Sequence, residues 1–222
     1  MASLAQQLRN PDPSSRLRAA LAAGSSPDPA AAEVLIERCA VEPDFFVRDM
    51  LTWAITRLPA DVTVPPLIAE LSSPFPQARS QALHTLSKVR DPQARPAVTP
   101  ALLHDEEDEV ARAAWRAAVT LTPVGERDPL AADLATELGR RSRDCWRTLA
   151  DSLVALGEAS RAPLDRVAAT GTFAQRVHAG ATLLLLDGLQ RDFRSAVEEA
   201  QRAALEVQGP PVASTEEHPP GQ

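Results

Sequence analysis

The chain has 222 residues and a mass of 23.8 kDa, with 44% hydrophobic, 24% charged and only 4% aromatic residues, so it can bury a core and is neither fibrous nor low-complexity. A formal charge of −7 and a sequence pI near 5.2 set the molecule as a whole against phosphate backbones. Two cysteines, Cys39 and Cys145, cannot build a disulfide framework and have no metal-ligand spacing, so they read as reduced, buried thiols.

In chain order the dominant signal is a recurring arginine. Arg16, Arg48, Arg79, Arg112, Arg147 and Arg176 stand 29 to 35 residues apart, and three residues after each comes Ala19, Leu51, Ala82, Trp115, Ala150 or Ala179. Such a period is the mark of a repeat architecture. Four positions before three of these arginines stand Asp12, Asp44 and Asp108, which the pattern predicts as helix N-caps, while repeat three has Phe75 there and repeat five Arg143. Upstream of each turn runs a second helical stretch, over 2–9, 30–39, 64–71, 97–103, 130–138 and 164–169. Pro65, Pro66, Pro96, Pro100, Pro129 and Pro163 sit near the starts of these stretches, where a first turn tolerates a missing amide hydrogen. The unit is therefore helix, turn, helix. Arg191 to Val207 reads as one more helix that caps the array.

These residues resemble the second helix of HEAT repeats: a turn aspartate, an apolar residue and arginine as in Val47 and Arg48, then small residues leading to a leucine. The resemblance covers residues 2–185 and implies an all-α, right-handed superhelix of six helical hairpins with a capping helix. The expected organisation is a single domain over 1–208 and a disordered tail over 209–222, whose sequence lacks any hydrophobic pattern. One lysine against 22 arginines is the bias of GC-rich bacteria, and the chain is similar to small HEAT-repeat proteins of the actinobacterial type.

With the arginine as position zero, positions −1, +2, +3, +6, +7 and +10 share the core face of each second helix, so Trp115 and Trp146 are expected inside. The resemblance implies that the opposite side lines an inner curve. Along the chain that side presents Asp49, Thr52, Trp53, Ser80, Leu83, His84, Arg116, Thr148 and Asp151. Of these, Asp49, Thr52, Trp53, His84, Arg116 and Asp151 form the expected partner-binding set. Trp53 is either an exposed anchor for a partner or a packing contact with the neighbouring repeat. The arginine ladder reads as pairing with turn carboxylates to hold repeats in register. The acid run from His104 to Glu109 reads as solvated carboxylates before a helix, since it lacks the spacing and the glycine of a calcium loop.

No serine elbow, phosphate loop or zinc signature is present, and only Lys88 could form a Schiff base. The absence of any His-Glu dipeptide excludes the di-iron hydroxylase branch of the family, and nothing in the chain points to the bilin lyase branch. Asp49, Trp53 and Arg116 are formal analogues of the groups used by HEAT-like alkylpurine DNA glycosylases, but the net charge opposes phosphate binding. The expectation is a non-catalytic, cytoplasmic, monomeric scaffold that binds a protein or peptide, with no cofactor, no metal, no membrane contact and no nucleic acid. A groove enclosing a small apolar molecule beside Trp53 is the alternative.

Overall fold

The computed structural model describes residues 2–206, so the expected tail lies outside the described residues. Thirteen α-helices and no strand occur among them. They are α1 (Leu4–Leu8), α2 (Pro13–Ser25), α3 (Ala32–Val41), α4 (Phe45–Thr56), α5 (Ala60–Glu70), α6 (Pro76–Val89) and α7 (Pro100–Leu103). The second half continues with α8 (Asp108–Leu121), α9 (Arg127–Leu134), α10 (Arg143–Leu156), α11 (Arg161–Thr170), α12 (Phe173–Leu186) and α13 (Phe193–Glu206). The first twelve form six hairpins, and each ladder arginine lies in the second helix of its pair. Second helices stack in sequence, α2 on α4, α4 on α6, α6 on α8, α8 on α10 and α10 on α12, with α13 closing against α12. This is an all-α solenoid in which each repeat buries its apolar face on its neighbours.

Local chemistry sets the helix starts. Asp12 accepts from the amides of Ser14 and Ser15, and Asp44 from that of Val47, as the pattern predicts. Thr172 and Gln175 complete a capping box on α12. Asp108 differs, because α8 begins one residue earlier than expected and places it inside the first turn. Its carboxylate accepts instead from Arg141 Nη1 at 3.1 Å and Ser142 Oγ at 3.3 Å, across to the next repeat. Pro65 and Pro66 also depart from expectation, since α5 starts at Ala60 and they fall in its second turn. Two i→i−4 hydrogen bonds are lost there, and the carbonyls left without donors belong to exposed Asp61 and half-buried Val62.

The core is one continuous cluster rich in alanine and leucine from Leu8 to Ala179, with a smaller cluster where Val177, Ala181, Val197 and Ala200 pack around Trp146. Trp115 is 1% exposed and donates from Nε1 to the Leu103 carbonyl at 2.9 Å, and Trp146 donates likewise to the Arg140 carbonyl at 2.7 Å. Both tryptophans are inside, as the helical wheel predicts. Trp53 packs on the neighbouring repeat: its ring lies over Gly24, where an added Cβ would come within 2.2 Å of it, yet the residue stays 38% exposed. Both cysteines are buried and free, and burial pushes the Cys39 thiol up to about 11.

Polar ties cross each repeat boundary. Arg16 grips Glu42 with Nε at 2.8 Å and Nη2 at 2.7 Å, while its Nη1 donates to the Asn10 and Pro11 carbonyls of its own turn. Glu42 also takes Arg38 and the Asp44 amide, and its carbonyl accepts from Arg48 Nη1 and Gln77 Nε2, so one residue joins repeats one to three. Burial alone would raise the Glu42 carboxyl, but the two guanidinium groups and the amide hold it down to about 2. Arg79 grips Asp105 of repeat four in the same two-pronged way. Between repeats four and five the direction reverses. Arg141, in the left-handed region at φ 63°, reaches back to Asp108 and the Asp105 carbonyl and also pairs with Glu137.

His104 adds to that boundary through Glu137 at 2.7 Å and Asp133 at 2.9 Å. The acid run is therefore not a set of solvated carboxylates: Asp105 and Asp108 are ties between repeats, and only Glu106, Glu107 and Glu109 are exposed. At the last boundary, buried His178 stacks on Trp146 at 4.6 Å between ring centroids. Its Nδ1 accepts from the Gly139 amide at 3.1 Å, which leaves Nε2 to donate to the Trp146 carbonyl at 2.9 Å. Burial lowers its pKa to about 3, so the ring is neutral. Gly139 has φ +73°, and a Cβ there would meet the Gln175 backbone nitrogen at 2.6 Å, so the position requires glycine.

Glu42→Gln leaves buried guanidinium groups without their counter-charge and is expected to lower stability by about 3 to 5 kcal/mol in urea denaturation. The Glu42 contribution is complete above the unfolded value of 4.5 and disappears as pH falls through about 2, so the wild type loses stability across that window. A wild-type urea midpoint that stays level from pH 5 to 2 would contradict this. Trp115→Ala is expected to cost about 3 to 5 kcal/mol, and Trp53→Ala less than half of that because one ring face already meets solvent. Equal losses would show that the Trp53 ring is as much a part of the core as Trp115.

Candidate functional site

The stacked second helices leave a groove of about 240 Å3 where three successive repeats meet. Helix α4 supplies Phe45, Arg48, Asp49 and Thr52, α6 supplies Ser80, Gln81 and His84, and α8 supplies Glu109 and Arg116. Helical spacing explains the convergence, since Phe45, Asp49 and Thr52 recur at intervals of three or four residues and share one side of α4. Ser80 and His84 do the same on α6.

Four of the six residues expected from the sequence, Asp49, Thr52, His84 and Arg116, therefore line one groove. Trp53 stands apart on the side of repeat one. Asp151 is exposed on α10, outside the groove lining, though its charge acts on Arg116. The wheel assigned too much of the helix circumference to solvent. Leu83 is fully buried, and Thr52, Ser80 and Thr148 are buried too, because each second helix is flanked by two others. The Thr148 hydroxyl accepts from Arg112 Nε at 3.1 Å and Arg116 Nη2 at 3.3 Å, which fixes the Arg116 side chain.

Electrostatics within the groove are mixed. Burial first, then the charges of Lys88 and Arg116, lower the His84 pKa, so its imidazole is neutral at pH 7, with Asp49 opposing the shift. Burial and the like charge of Arg112 lower that of Arg116. The lining carries Arg48 and Arg116 against Asp49 and Glu109, a balance of two cations and two anions. Phe45 closes one end with 64% of its surface exposed, edge-on to the still more exposed Phe46 at 5.7 Å.

Phe45, Arg48 and Glu109 were not in the partner-binding set expected from the sequence. Their signal was available, because each sits in the first turn of a second helix, at the edge that neighbouring turns leave open. A second groove, of about 470 Å3, runs between α11, α12 and α13 and was not anticipated either. Its sequence mark is small residues on facing helices, Ala168, Gly180, Ala200 and Ala204, beside Leu183 and Leu184.

Among the described residues no helix is long and apolar enough to cross a membrane. The family model described as HEAT repeats matches residues 64–157, the span from within α5 to the end of α10. No curated protein matches the chain. Among solved structures, a chain from the complex of CpcE and CpcF of phycocyanin lyase from Nostoc sp. PCC7120 is 20% identical, covering 90% of this chain and 93% of that chain with a TM-score of 0.38. A likeness of that degree carries no argument about function. Residues 64–157 thus match HEAT repeats, and the hairpins on both sides of that span continue the same helix-turn-helix pattern.

Proposed function

We propose that this protein is a non-catalytic scaffold that binds a protein or peptide across the face of its second helices, centred on Asp49, Thr52, His84 and Arg116. The observation that carries the reading is the convergence of three consecutive repeats on one groove of mixed charge with an exposed aromatic at its lip. Such a surface offers a guanidinium, a carboxylate, a neutral imidazole and an aromatic edge, the groups that anchor polypeptides. The arrangement gives little to catalysis. Ser80, one turn before His84 on the same side of α6, donates to the Gln77 carbonyl at 3.1 Å rather than to an activating base.

The balance of charge also argues against a phosphate-binding face, and so against glycosylase chemistry at this groove. Trp53 and Asp151 flank the groove on either side and extend the surface towards repeats one and five. A cytoplasmic, monomeric protein remains the simplest setting for this role.

The test is quantitative affinity purification of the tagged protein from its native host, comparing wild type, Arg116→Glu and Asp165→Arg. Asp165 is exposed on α11, away from the groove. A partner enriched by wild type and Asp165→Arg is expected to fall by about tenfold or more with Arg116→Glu, since loss of a charged interfacial contact costs at least about 1.4 kcal/mol. Retention of every enriched protein by Arg116→Glu would overturn the assignment of this groove.

A further inference from the structure

Arg48 is the second rung of the arginine ladder, and only one of its edges is used. Like Arg16 and Arg79 it turns Nη1 onto carbonyls of its own turn, those of Glu42 at 2.9 Å and Pro43 at 2.8 Å. In Arg16 and Arg79 the other edge, Nε with Nη2, grips a carboxylate of the next repeat. That edge of Arg48 has no hydrogen-bond partner among the described residues, and it is open to solvent. The side-chain nitrogens that are both sealed and unpaired there are Arg127 Nε and Arg176 Nε, whereas half-buried Arg48 lines the 240 Å3 groove. A donor fork that is filled at the first and third rungs is vacant at the second.

The acids of the lining do not take the fork. Glu109 pairs with Arg112 at 2.9 Å, and no carboxylate among the described residues, Asp49 included, pairs with Arg48. With Glu109 held by Arg112, the groove sets Arg48 and Arg116 against Asp49 alone. Such a balance admits one carboxylate and opposes a run of them. The fork is also braced, since the Phe45 ring centroid lies 5.9 Å from the Arg48 Cζ.

Beside the fork lies an apolar surface. Phe45, Phe46 and Phe75, three of the five phenylalanines of the chain, are all largely exposed. Gln77 Nε2 donates to the Glu42 carbonyl at 2.9 Å, which holds the start of α6 against the turn before α4, so the three rings share one edge of the array. Clustered aromatic rings left in water mark a contact surface.

We infer that the groove selects a polypeptide segment of a partner protein in which an acidic side chain stands beside a large apolar one. The carboxylate takes the Nε and Nη2 edge of Arg48, the place that Glu42 and Asp105 fill for Arg16 and Arg79, and the apolar side chain covers Phe45 and Phe46. Two-pronged pairing with a guanidinium is geometrically specific, and apolar surface leaving water adds affinity. The inference rests on the scaffold reading of this groove and names what the groove selects.

The experiment is selection of displayed random linear peptides on the immobilised full chain. Enriched sequences are expected to carry Asp or Glu immediately beside Phe, Tyr, Trp or Leu. The tightest of them, synthesised with both ends blocked, is expected to weaken by about tenfold or more when its acid is replaced by the amide, the loss of one charge-assisted contact. In Arg48→Gln this preference for acid over amide is expected to vanish, and in Arg48→Lys to narrow, a comparison made within each variant and so independent of its stability. Phe46→Ala is expected to weaken the peptide with unchanged circular dichroism. Glu216→Gln combined with Glu217→Gln is expected to leave its affinity unchanged, and a tenfold rise would assign the fork to the acids of the chain's own end and overturn the inference. Enriched peptides without an acid, or an undiminished preference in Arg48→Gln, would overturn the inference alone if Arg116→Glu still abolishes their binding. Enrichment of no peptide, or binding that survives Arg116→Glu, would remove the scaffold reading of the groove and this inference with it.

Discussion

The fold depends on a guanidinium one turn inside the second helices of the first three repeats that serves two purposes at once. One edge of Arg16, Arg48 or Arg79 caps the carbonyls of its own turn, and the other edge is left for the adjoining repeat. A cation so placed sets the angle between the two helices of its own hairpin. It also asks the neighbour for a carboxylate at one position. The apolar interfaces between alanine-rich helices are nearly featureless and would tolerate sliding. The polar ties select one register among many of similar hydrophobic quality.

How each boundary answers that demand differs, and the differences shape the surface. Glu42 and Asp105 meet the request in full, whereas repeat five offers Arg112 only the Thr148 hydroxyl and sends Arg141 backward. Arg48 receives only carbonyls, because repeat three has Ser73 where repeat two has Glu42, and its free edge faces the mixed groove. Arg176 receives nothing. The two grooves border Arg48 and Arg176, two rungs without a carboxylate, whereas Arg147, also without one, is exposed and lines neither.

Much of this was legible in the sequence, for a physical reason. A repeated arginine with a small residue one turn later is a local pattern, and local patterns survive in one dimension. The six hairpins, the inward Trp115 and Trp146 and the caps at Asp12 and Asp44 all followed from it. What failed required knowledge of neighbours. Asp108 looked like a cap until Arg141 claimed it, and Leu83 and Thr52 looked solvated until two flanking helices covered them. Half of the groove at His84 was visible as one face of three helices. The open trough beside α12 was not, because it arises from small residues on separate helices failing to fill the space between them.

The position of Glu42 has a bearing on how such a chain changes over evolutionary time. Tandem arrays ordinarily gain or lose modules singly, because each module is equivalent and joined only to those beside it. Here one residue gathers a guanidinium from the first module and another from the second on its carboxylate, and the Gln77 amide of the third on its carbonyl. Excising the first module would strand that anion inside apolar surroundings, and excising the third would remove the donor on its carbonyl. The first three modules are therefore coupled through Glu42, and removing any one of them leaves a polar group of the others without its partner.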